Sequence, residues 1–431
     1  MNLILKNGRL FDPQLSLDRV GDVVLQDDRV RDLGPDIAAS GPGVIDCTGL
    51  IIAPGFIDLH VHLREPGFEY KETIETGTRA AAAGGFTAVC AMPNTQPVND
   101  NAGATEHIAR RARELGHARV YPIGAITEGS RGERLAAIGG MCQAGAVGFS
   151  DDGRPVMNAQ ILRRALEYAS MYGVPIIEHA EDLNLSAGGS MHAGARALQL
   201  GLRGISSTSE AAMVARDILL AEESGAHIHI AHLSTAASAR LVRAAKARGV
   251  RVTAEVTPHH LILCDEDVVD YDTNFKMNPP LRGAADREAV IAALADGTID
   301  AIATDHAPHA GHEKQQEFDR APFGIIGLET ALPLVLRLVE SGRVSLARIV
   351  DALSSAPARI FGLRGGRLEA GALADLTIFD PSREWTYDPA RGLSKSRNSP
   401  FAGWRLRGAA VHTIVGGRVV WSGAAATPPE S

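Results

Sequence analysis

The 431-residue sequence has few cysteines, few aromatic residues and no excess of basic residues. Its cysteines, Cys47, Cys90, Cys142 and Cys264, form no CxxC pair, which argues against a disulfide framework and against a thiolate zinc site. The 43 basic residues are outnumbered by 51 acidic ones, so the formal net charge is −8. A general nucleic-acid-binding protein would instead need basic stripes that neutralise phosphates, so this class is not expected.

Long apolar segments are also missing. No apolar run reaches about 18 residues, the length that would indicate a transmembrane helix. The first residues, MNLILKNGRLFD, contain one lysine and lack the apolar core of a signal peptide. The 45% of hydrophobic and 22% of charged residues are ordinary for a globular chain. We therefore expect a cytoplasmic protein that acts without a membrane.

The two ends of the chain differ from its middle. Residues 1–54 and 365–423 consist of short alternating apolar segments that are interrupted by Gly, Asp and Pro, a pattern typical of short antiparallel strands. Two such ends around a long central region predict one small β-sandwich domain. We assign residues 1–54 and 361–431 to this domain.

The central region, residues 55–360, alternates apolar strand-like runs with amphipathic helical stretches. Eight strand candidates with helices between them favour an α/β fold, a TIM-type (β/α)8 barrel. A doubly wound open sheet is the alternative, but the sequence has neither GxGxxG after a strand nor a P-loop lysine motif. The eight strand candidates are residues 56–63, 86–93, 118–127, 145–152, 174–181, 227–234, 251–260 and 299–309.

Histidine and aspartate residues lie at the carboxyl ends of five predicted strands. Catalytic residues of such barrels lie at this end, and imidazoles with carboxylates suit zinc or a similar divalent metal. The sequence therefore predicts a metal site. Its candidate ligands are His60, His62, Asp151, His179, His232 and Asp305.

Some neighbouring residues leave alternatives open. Asp152 is an alternative to Asp151, and only geometry decides between them. His227 and His229 have the opposite strand parity from His232, so they are expected to face outward. Two further histidines, at positions 259 and 260, follow the seventh strand candidate and are not expected to be ligands.

Several motifs resemble those of the dihydroorotase family, in its bacterial class I with a two-metal site. The more specific ones are HLREPG at 62–67 and GFSDDG at 148–153, while HxH and TDHAPH at 304–309 are shared with other cyclic amidohydrolases. The resemblance covers essentially the whole chain and includes the split terminal domain of the amidohydrolase superfamily. Further matching segments are KETIETG at 71–77, MPNT at 92–95, EHAED at 178–182, HLST at 232–235, KMNPPLR at 276–282 and APFGIIGLET at 321–330.

The resemblance implies reversible hydrolysis of the cyclic amide of dihydroorotate to N-carbamoyl-L-aspartate, with ring closure used in pyrimidine biosynthesis. It implies two divalent metal ions per subunit, expected to be Zn²⁺. One would be held by His60, His62 and Asp305, the other by His179 and His232. Asp151 would bridge them where hydantoinases and allantoinases use a carboxylated lysine. GFSDDG contains no lysine, which argues against those relatives.

The resemblance also implies substrate contacts and one catalytic residue. Asp305 would carry the proton between the attacking water and the ring nitrogen. The residues implied to bind the substrate are His62, Arg64, Asn94, Asn278, His309, Phe323 and Gly324. Arg64 can form two hydrogen bonds to a carboxylate, although a surface ion pair with Glu65 or Glu69 is the structural alternative. Residues 310–322 would be a mobile lid or an ordinary surface loop.

Two other functions stay open at this point. One is a hydantoinase-like or allantoinase-like cyclic amidohydrolase, and the other is an inactive relative that serves as a scaffold for aspartate transcarbamoylase. Such inactive relatives usually lose metal ligands, whereas this sequence keeps all six. A homodimer and an association with aspartate transcarbamoylase are the protein partners that we consider.

Overall fold

The computed structural model describes residues 2–37 and 43–423. Met1 and residues 38–42 and 424–431, all in the predicted terminal domain, lie outside the described residues. The described strands are β1 Asn2–Asp12, β2 Leu17–Gln26, β3 Arg29–Gly34, β4 Val44–Asp46, β5 Ile51–Pro54, β6 Phe56–Val61, β7 Phe86–Ala91, β8 Arg119–Pro122, β9 Ile176–Glu178, β10 Met191–His192, β11 Gly204–Ile205, β12 Ile228–Ile230, β13 Val252–Val256, β14 Ala301–Ile302, β15 Leu376–Thr386, β16 Arg405–Val415 and β17 Arg418–Ser422.

Helices occupy most of the chain between the central strands, as the amphipathic stretches predict. Their apolar faces are buried against the strands in one large core. None of the described helices combines the length and the hydrophobicity that a membrane-spanning helix needs. The helices are α1 Ile74–Ala83, α2 Ala102–Leu115, α3 Ile138–Gln143, α4 Ala159–Ser170, α5 Leu183–Ser186, α6 Ala195–Leu200, α7 Ser207–Ser224, α8 Ala236–Ala247, α9 Pro258–Ile262, α10 Ala284–Ala295, α11 Gly311–Lys314, α12 Ala331–Glu340, α13 Leu346–Leu353 and α14 Ser355–Phe361.

Both ends of the chain contribute strands to a single sheet. Its order is β17-β16-β15-β5-β1-β2-β3, and β4 pairs separately with β1. The pairs β1–β2 and β15–β16 are antiparallel, whereas β1 runs parallel to β4 and β5. The alternating apolar residues of these strands face a separate buried cluster that includes Leu5, Leu25, Ile52 and Ile378. The sheet thus joins the two ends in one core.

The central strands run parallel to one another. They form the consecutive pairs β6–β7–β8 and β9–β12–β13–β14. Phe149 forms single parallel bridges to Gly124, just after β8, and to Ile176 of β9, and a further bridge joins Val61 of β6 to His306 after β14. The parallel pairing therefore passes from one segment to the next and returns to the first.

Seven of the eight strand candidates contain a described strand, and the fourth does not. Residues 145–152 pair only through the bridges of Phe149. Pro122 and Pro175 on the adjacent segments accept hydrogen bonds from Val147 and Phe149, respectively. Proline has no backbone N–H group, so neither residue can donate a hydrogen bond back to residues 145–152. A longer hydrogen-bond ladder therefore cannot form at these positions.

The terminal sheet leads directly into the first central strand, because Gly55 alone separates β5 from β6. A Cβ atom at Gly55 would lie 2.2 Å from Thr87 Oγ1, so a larger residue does not fit here. The Gly55 amide donates to the carbonyl oxygen of Asp375 at 2.9 Å, and the Phe56 amide donates to Thr377 Oγ1 at 3.0 Å. The terminal sheet is thereby fixed against the amino end of β6.

Candidate metal centre

Four histidines and two aspartates meet where the parallel strands end. His60 lies in β6, while His179, His232 and Asp305 follow β9, β12 and β14 by one to three residues. His232 and Asp305 have left-handed backbone conformations, with φ of 31° and 45°. Such conformations are costly for residues other than glycine and accumulate at functional sites. The strand ends therefore turn sharply where their side chains converge.

Asp152 lies at the centre of the group. Its Oδ1 atom is 3.4 Å from His60 Nε2, and its Oδ2 atom is 3.5 Å from His62 Nε2. The same Oδ1 atom is 3.6 Å from His179 Nδ1 and 3.6 Å from His232 Nε2. One carboxylate thus faces both pairs of imidazoles.

Asp151, the expected bridging residue, is not part of this group. Its Oδ1 atom accepts the backbone amides of Ile126 and Thr127 at 2.9 and 3.1 Å, and its Oδ2 atom accepts the Thr127 hydroxyl. The structure therefore corrects the choice between the two aspartates. Asp152 lies in a turn closed by the Arg154 amide, which donates to the Asp151 carbonyl oxygen at 2.8 Å, and of the two aspartates only Asp152 belongs to the sets of potential ligands.

The donor atoms are close enough to share metal ions. Within each of three sets of residues, the potential ligand atoms lie within 4.8 Å of one another. Buried His60 Nε2 and Asp152 Oδ1 have no hydrogen-bond partner among the described residues, which is unusual for buried polar atoms. This arrangement fits divalent cations that prefer nitrogen and oxygen ligands. The three sets are His60, His232 and Asp305; His60, His62 and Asp152; and Asp152, His179 and His232.

The imidazoles keep the carboxylates ionised despite their burial. Burial opposes ionisation of Asp152, but the charge of His60 and the nearby imidazoles of His179 and His232 hold the pKa of Asp152 well below its usual value. Burial likewise opposes ionisation of Asp305, and His60 and His62 lower its pKa. Both side chains are therefore anionic at neutral pH and suited to bind cations.

Residues outside the predicted set orient the histidines. Glu255 in β13 accepts a hydrogen bond from His60 Nδ1 at 2.9 Å, and Glu181 lies 3.0 Å from His179 Nε2. A hydrogen bond on one ring nitrogen of a histidine leaves the other nitrogen available for a metal. Neither glutamate was predicted from the sequence. A charged residue inside the apolar strand VTAEV was the available signal for Glu255.

Comparisons with known proteins decide the family. A family model described as Dihydro-orotase-like matches residues 49–238. The chain is 54% identical over 423 residues to the dihydroorotase of Solibacter usitatus (strain Ellin6076), which covers 98% of each chain. It is 56% identical over 421 residues to that of Pelotomaculum thermopropionicum (strain DSM 13744 / JCM 10971 / SI), covering 97% of this chain and 98% of the relative. The chain belongs to the dihydroorotase family.

Solved structures of cyclic amidohydrolases share the fold of this family member. The L-hydantoinase (dihydropyrimidinase) from Arthrobacter aurescens matches with a TM-score of 0.87 and 27% identity, covering 97% of this chain and 95% of that chain. The D-hydantoinase (dihydropyrimidinase) from Thermus sp. matches with a TM-score of 0.80 and 26% identity, covering 97% and 94%. The predicted dihydroorotase resemblance and the mixed α/β class are confirmed.

Arg64 of this dihydroorotase-family chain lies beside the candidate metal centre without a carboxylate partner among the described residues. Its Nε atom donates to the Pro308 carbonyl oxygen at 3.2 Å. The surface alternative does not apply, because Glu65 pairs with Arg111 at 3.0 Å and Glu69 accepts the Gly67 amide. The guanidinium group therefore remains available to a ligand.

Two predicted substrate-binding asparagines contact histidines of the candidate metal centre. Asn94 Oδ1 lies 2.8 Å from His62 Nδ1. Asn278 Nδ2 donates to Glu181 at 2.9 Å and lies 3.2 Å from His179 Nε2. Each asparagine therefore borders one of the two histidine pairs.

The other predicted substrate residues, His309, Phe323 and Gly324, are joined by contacts to backbone carbonyl groups, and we call these three residues the backbone cradle. His309 Nε2 donates to the Phe323 carbonyl oxygen at 2.8 Å, and Asn398 Nδ2 donates to the Gly324 carbonyl oxygen at 3.0 Å. Gly324 has φ of 155°, and a Cβ atom there would lie 2.6 Å from the Ala307 carbonyl oxygen. Only glycine fits this close approach. Asn398, between β15 and β16, was missed because its segment contains no motif.

Residues 310–322 are held against this cradle. Lys314 Nζ donates to the carbonyl oxygens of Pro322 and Gly324 at 3.0 and 3.2 Å. Lys71 Nζ lies 2.9 Å from Glu313 Oε1. The segment thus contains α11 and specific contacts, and its role as a lid stays a prediction.

Two histidines that were not predicted as ligands, His229 and His260, are both buried, and only one of them was placed correctly. His229 is fully buried, with Nε2 at 3.1 Å from Glu255 Oε2, so the prediction that it faces outward is wrong. Strand parity misled because the chain leaves β12 at Ile230 and turns at His232. His260 lies 2.7 Å from Thr257 Oγ1 and 2.9 Å from the Pro279 carbonyl oxygen. It belongs to none of the three ligand sets.

Proposed function

We propose that this protein is a dihydroorotase that interconverts dihydroorotate and N-carbamoyl-L-aspartate at a centre of two Zn²⁺ ions. The observation that carries the proposal is the position of Asp152 between the pairs His60–His62 and His179–His232. One metal would be held by His60, His62 and Asp305. The other would be held by His179 and His232, and Asp152 would bridge the two.

We also infer that the eight central segments close into a (β/α)8 barrel comprising residues 55–360. The bridges of Phe149 and the bridge between Val61 and His306 support closure. The shared terminal sheet supports the assignment of residues 1–54 and 361–431 to a second domain. A homodimer and an association with aspartate transcarbamoylase stay predictions.

The chain's own residues would bind and orient the substrate. Arg64 would receive the carboxylate of dihydroorotate in a charge-assisted, two-point hydrogen bond. Asn94 and His309 would complete this anion site, and Asn278 with the Phe323 and Gly324 backbone would face the ring. The partial burial of this pocket strengthens such charged hydrogen bonds.

Divalent metals bound at this centre supply activation of a water molecule and polarisation of the ring carbonyl group. Asp305 lies 3.0 Å from His62 Nε2 and is anionic, so it is placed to accept the proton of the attacking water. The same proton then passes from the Asp305 carboxyl group to the departing ring nitrogen. Ring closure uses these steps in reverse, and the carboxylate is regenerated in each direction.

A hydantoinase-like activity is the second candidate, favoured by the structural match to the Arthrobacter aurescens enzyme. Two features of this chain favour dihydroorotate. The bridging position is served by an aspartate, and Arg64 offers a cation to a substrate that carries a carboxylate. An inactive scaffold is disfavoured because the complete donor set is present.

Substrate tests on the metal-loaded protein distinguish these candidates. The protein is stripped with a chelator, reloaded with Zn²⁺ and assayed with dihydroorotate, N-carbamoylaspartate and hydantoin. We expect turnover of the first two, loss of activity on stripping and recovery on reloading at about two metal ions per chain. Turnover of hydantoin without turnover of dihydroorotate would replace the proposal by the second candidate. A protein that binds metal but converts neither would support the scaffold.

A further inference from the structure

The connection between β15 and β16 leaves the terminal sheet and reaches the proposed substrate site. Ser394, Ser396 and Asn398 of this connection are buried, whereas Lys395 and Arg397 between them are exposed. All three buried side chains form hydrogen bonds with residues of the central region. We refer to residues 394–398 as the strap.

The first part of the strap is bound to the loop between β6 and α1. Ser394 Oγ and the Lys395 amide donate to the two carboxylate oxygens of Glu72, the amide at 3.0 Å. Ser396 Oγ donates to the Lys71 carbonyl oxygen at 2.7 Å. These bonds join the strap to the loop that contains the arginine proposed to bind the substrate carboxylate.

The last residue of the strap, Asn398, joins both loops that carry the backbone cradle. Its Nδ2 atom donates to the carbonyl oxygens of Ala307 and Gly324 at 2.9 and 3.0 Å, and its Oδ1 atom accepts the His309 amide at 3.0 Å. Its backbone carbonyl oxygen accepts the Ile326 amide at 3.0 Å. Four hydrogen bonds of one residue therefore connect the loop after β14 with the loop that contains Gly324.

The partners of Asn398 leave one orientation for its side-chain amide. A backbone carbonyl oxygen can only accept a hydrogen bond, and a backbone N–H group can only donate one. Nδ2 must therefore face Ala307 and Gly324, and Oδ1 must face His309. Because Asn398 has no titratable proton, this arrangement does not depend on a protonation state of its side chain.

Two of the three backbone groups bound by the Asn398 side chain depend on it alone. The Gly324 carbonyl oxygen also accepts Lys314 Nζ at 3.2 Å. The His309 amide and the Ala307 carbonyl oxygen have no second hydrogen bond among the described residues, and both residues are buried. Buried backbone groups without a partner are costly, so we expect the two loops to move when the Asn398 amide is removed.

We propose that Asn398 is a positioning residue for substrate binding, which holds His309 and Gly324 at the spacing that dihydroorotate requires. Asn398 is not one of the proposed substrate contacts, so it acts through the two loops. This role gives a connection of the terminal sheet a part in the reaction of the central region. The inference rests on the proposed function, in which His309 and Gly324 bind the substrate.

The first test uses the protein as purified and needs no activity. Asn398→Asp keeps the shape of the side chain but cannot donate to both carbonyl oxygens, and Asn398→Ala removes all three side-chain bonds. Hydrogen–deuterium exchange of peptides that contain residues 306–310 and 322–327 is measured by mass spectrometry. We expect these peptides to exchange about tenfold faster in both variants than in the parent. Unchanged exchange in both peptides would overturn the inference.

Thr413→Val is the matched control. Thr413 is a fully buried residue of β16 whose hydroxyl donates to the Ala82 carbonyl oxygen at 2.6 Å, so it also joins the terminal sheet to the central region. Ala82 lies near the end of α1, which leads to the amino end of β7, whereas the proposed site lies at the carboxyl ends of the strands. We expect Thr413→Val to lower the melting temperature without changing the exchange of the two peptides. Equally fast exchange in this control would indicate a general loosening and contradict the specific role of Asn398.

The second test separates positioning from a general loss of structure. In the Zn²⁺-loaded proteins, we expect both Asn398 variants to raise KM for dihydroorotate about tenfold, with kcat and metal content within about twofold of the parent. Thr413→Val should keep KM within about twofold of the parent. A loss of kcat or of metal at unchanged KM would mean that Asn398 supports the metal centre instead, and the inference would be wrong.

The two tests also distinguish this inference from the proposed function. If the parent did not convert dihydroorotate, the proposed function and the positioning role toward that substrate would fail together. If the parent converted dihydroorotate and the Asn398 variants matched its KM, the proposed function would stand and only the positioning role would fail. If neither variant folded, Asn398→Gln, which keeps the amide on a longer side chain, would replace them with the same expected results.

Discussion

Asp151 and Asp152 are consecutive in the chain, but their carboxylates have different partners. Asp151 accepts hydrogen bonds from the backbone of residues 126 and 127, whereas Asp152 faces His60 at 3.4 Å. Burial raises the pKa of Asp151 to about 6, despite the bonds from Thr127. Asp151 therefore fixes the backbone next to the site, whereas Asp152 places a negative charge among the histidines.

This difference predicts opposite results for two single variants. Asp152→Asn should lose most of the bound metal, because a neutral amide cannot compensate the charge of two cations. Asp151→Asn should retain the metal and lower the melting temperature instead, because an amide accepts fewer of the three hydrogen bonds. Metal analysis by mass spectrometry and thermal unfolding of both proteins measure this. Retention of both metals in Asp152→Asn would contradict the bridging role.

Bicarbonate provides an independent check on the same residue. A bridging aspartate is complete without carbon dioxide, unlike a carboxylated lysine. Protein that is stripped of metal and reloaded in bicarbonate-free buffer should therefore recover the same activity as protein reloaded with bicarbonate. A requirement for bicarbonate would indicate that a modified lysine serves the centre.

Replacement of Arg64 should damage substrate binding without affecting metal binding. Arg64→Met removes the cation proposed to bind the substrate carboxylate, and losing one partner of a desolvated charge pair costs about 2–5 kcal/mol. We expect KM for dihydroorotate to rise at least about thirtyfold, with unchanged metal content. A cyclic imide that lacks the carboxylate is the control substrate and should be almost unaffected. Equal losses for both substrates would mean that Arg64 is structural.

Replacement of Asp305 should slow both directions of the reaction. Asp305→Asn can neither accept nor return a proton, and the remaining ligands should retain part of the metal. In the parent protein, ring opening needs Asp305 ionised, and the lowered pKa of Asp305 keeps it ionised above pH 5, so this group should add no pH dependence to ring opening. Ring closure needs Asp305 protonated and should become slower as the pH rises. Rates of both directions from pH 5 to 10 test this; parallel profiles would show that another group carries the proton.

The buried amine of Lys314 predicts a pH dependence of stability. Burial, aided by the charge of Lys276, lowers the pKa of Lys314 from 10.5 to about 7. Between these values the unfolded chain binds more protons than the folded one, so this group makes the folded state more stable as the pH rises. Lys314→Met removes the effect. The melting temperature of the parent should therefore increase relative to that of the variant from pH 7 to 10.

An exposed lysine gives the matched control for this comparison. Lys395 donates to the Glu69 carbonyl oxygen at the surface, so Lys395→Met should leave the pH dependence of the melting temperature unchanged. If Lys314→Met and the parent showed parallel pH profiles, the Lys314 amine would carry its proton in the folded protein throughout this range.

The sequence was informative wherever local spacing determines position. The HxH pair, the ends of the other strands and the two alternating termini predicted the donor groups and the shared sheet, because parallel strands bring their carboxyl ends together. The choice between Asp151 and Asp152 could not be predicted in this way. It depends on the backbone direction in a segment that pairs only at Phe149, and spacing carries no information on that direction.

Long-range contacts explain the remaining misses. Glu255 is 195 positions from His60 in the sequence, and Asn398 is 74 positions from Gly324. His229 was misplaced because strand parity was extended past the end of β12 to a residue in a left-handed conformation. Such contacts are set by the packing of distant segments, which no local pattern encodes.

The junction at Gly55 limits how this protein can be shortened or rearranged. The strand that carries His60 continues a strand of the terminal sheet after one residue that has no room for a side chain. Deleting the terminal sheet to obtain a minimal enzyme would remove the hydrogen-bond partners that hold the amino end of this strand. New chain ends made by circular permutation are better placed in exposed loops, such as the turn around Gly173, than at the boundary between the two parts. Changes in the exposed loops of this enzyme are therefore easier to accommodate than a separation of the terminal sheet from the central strands.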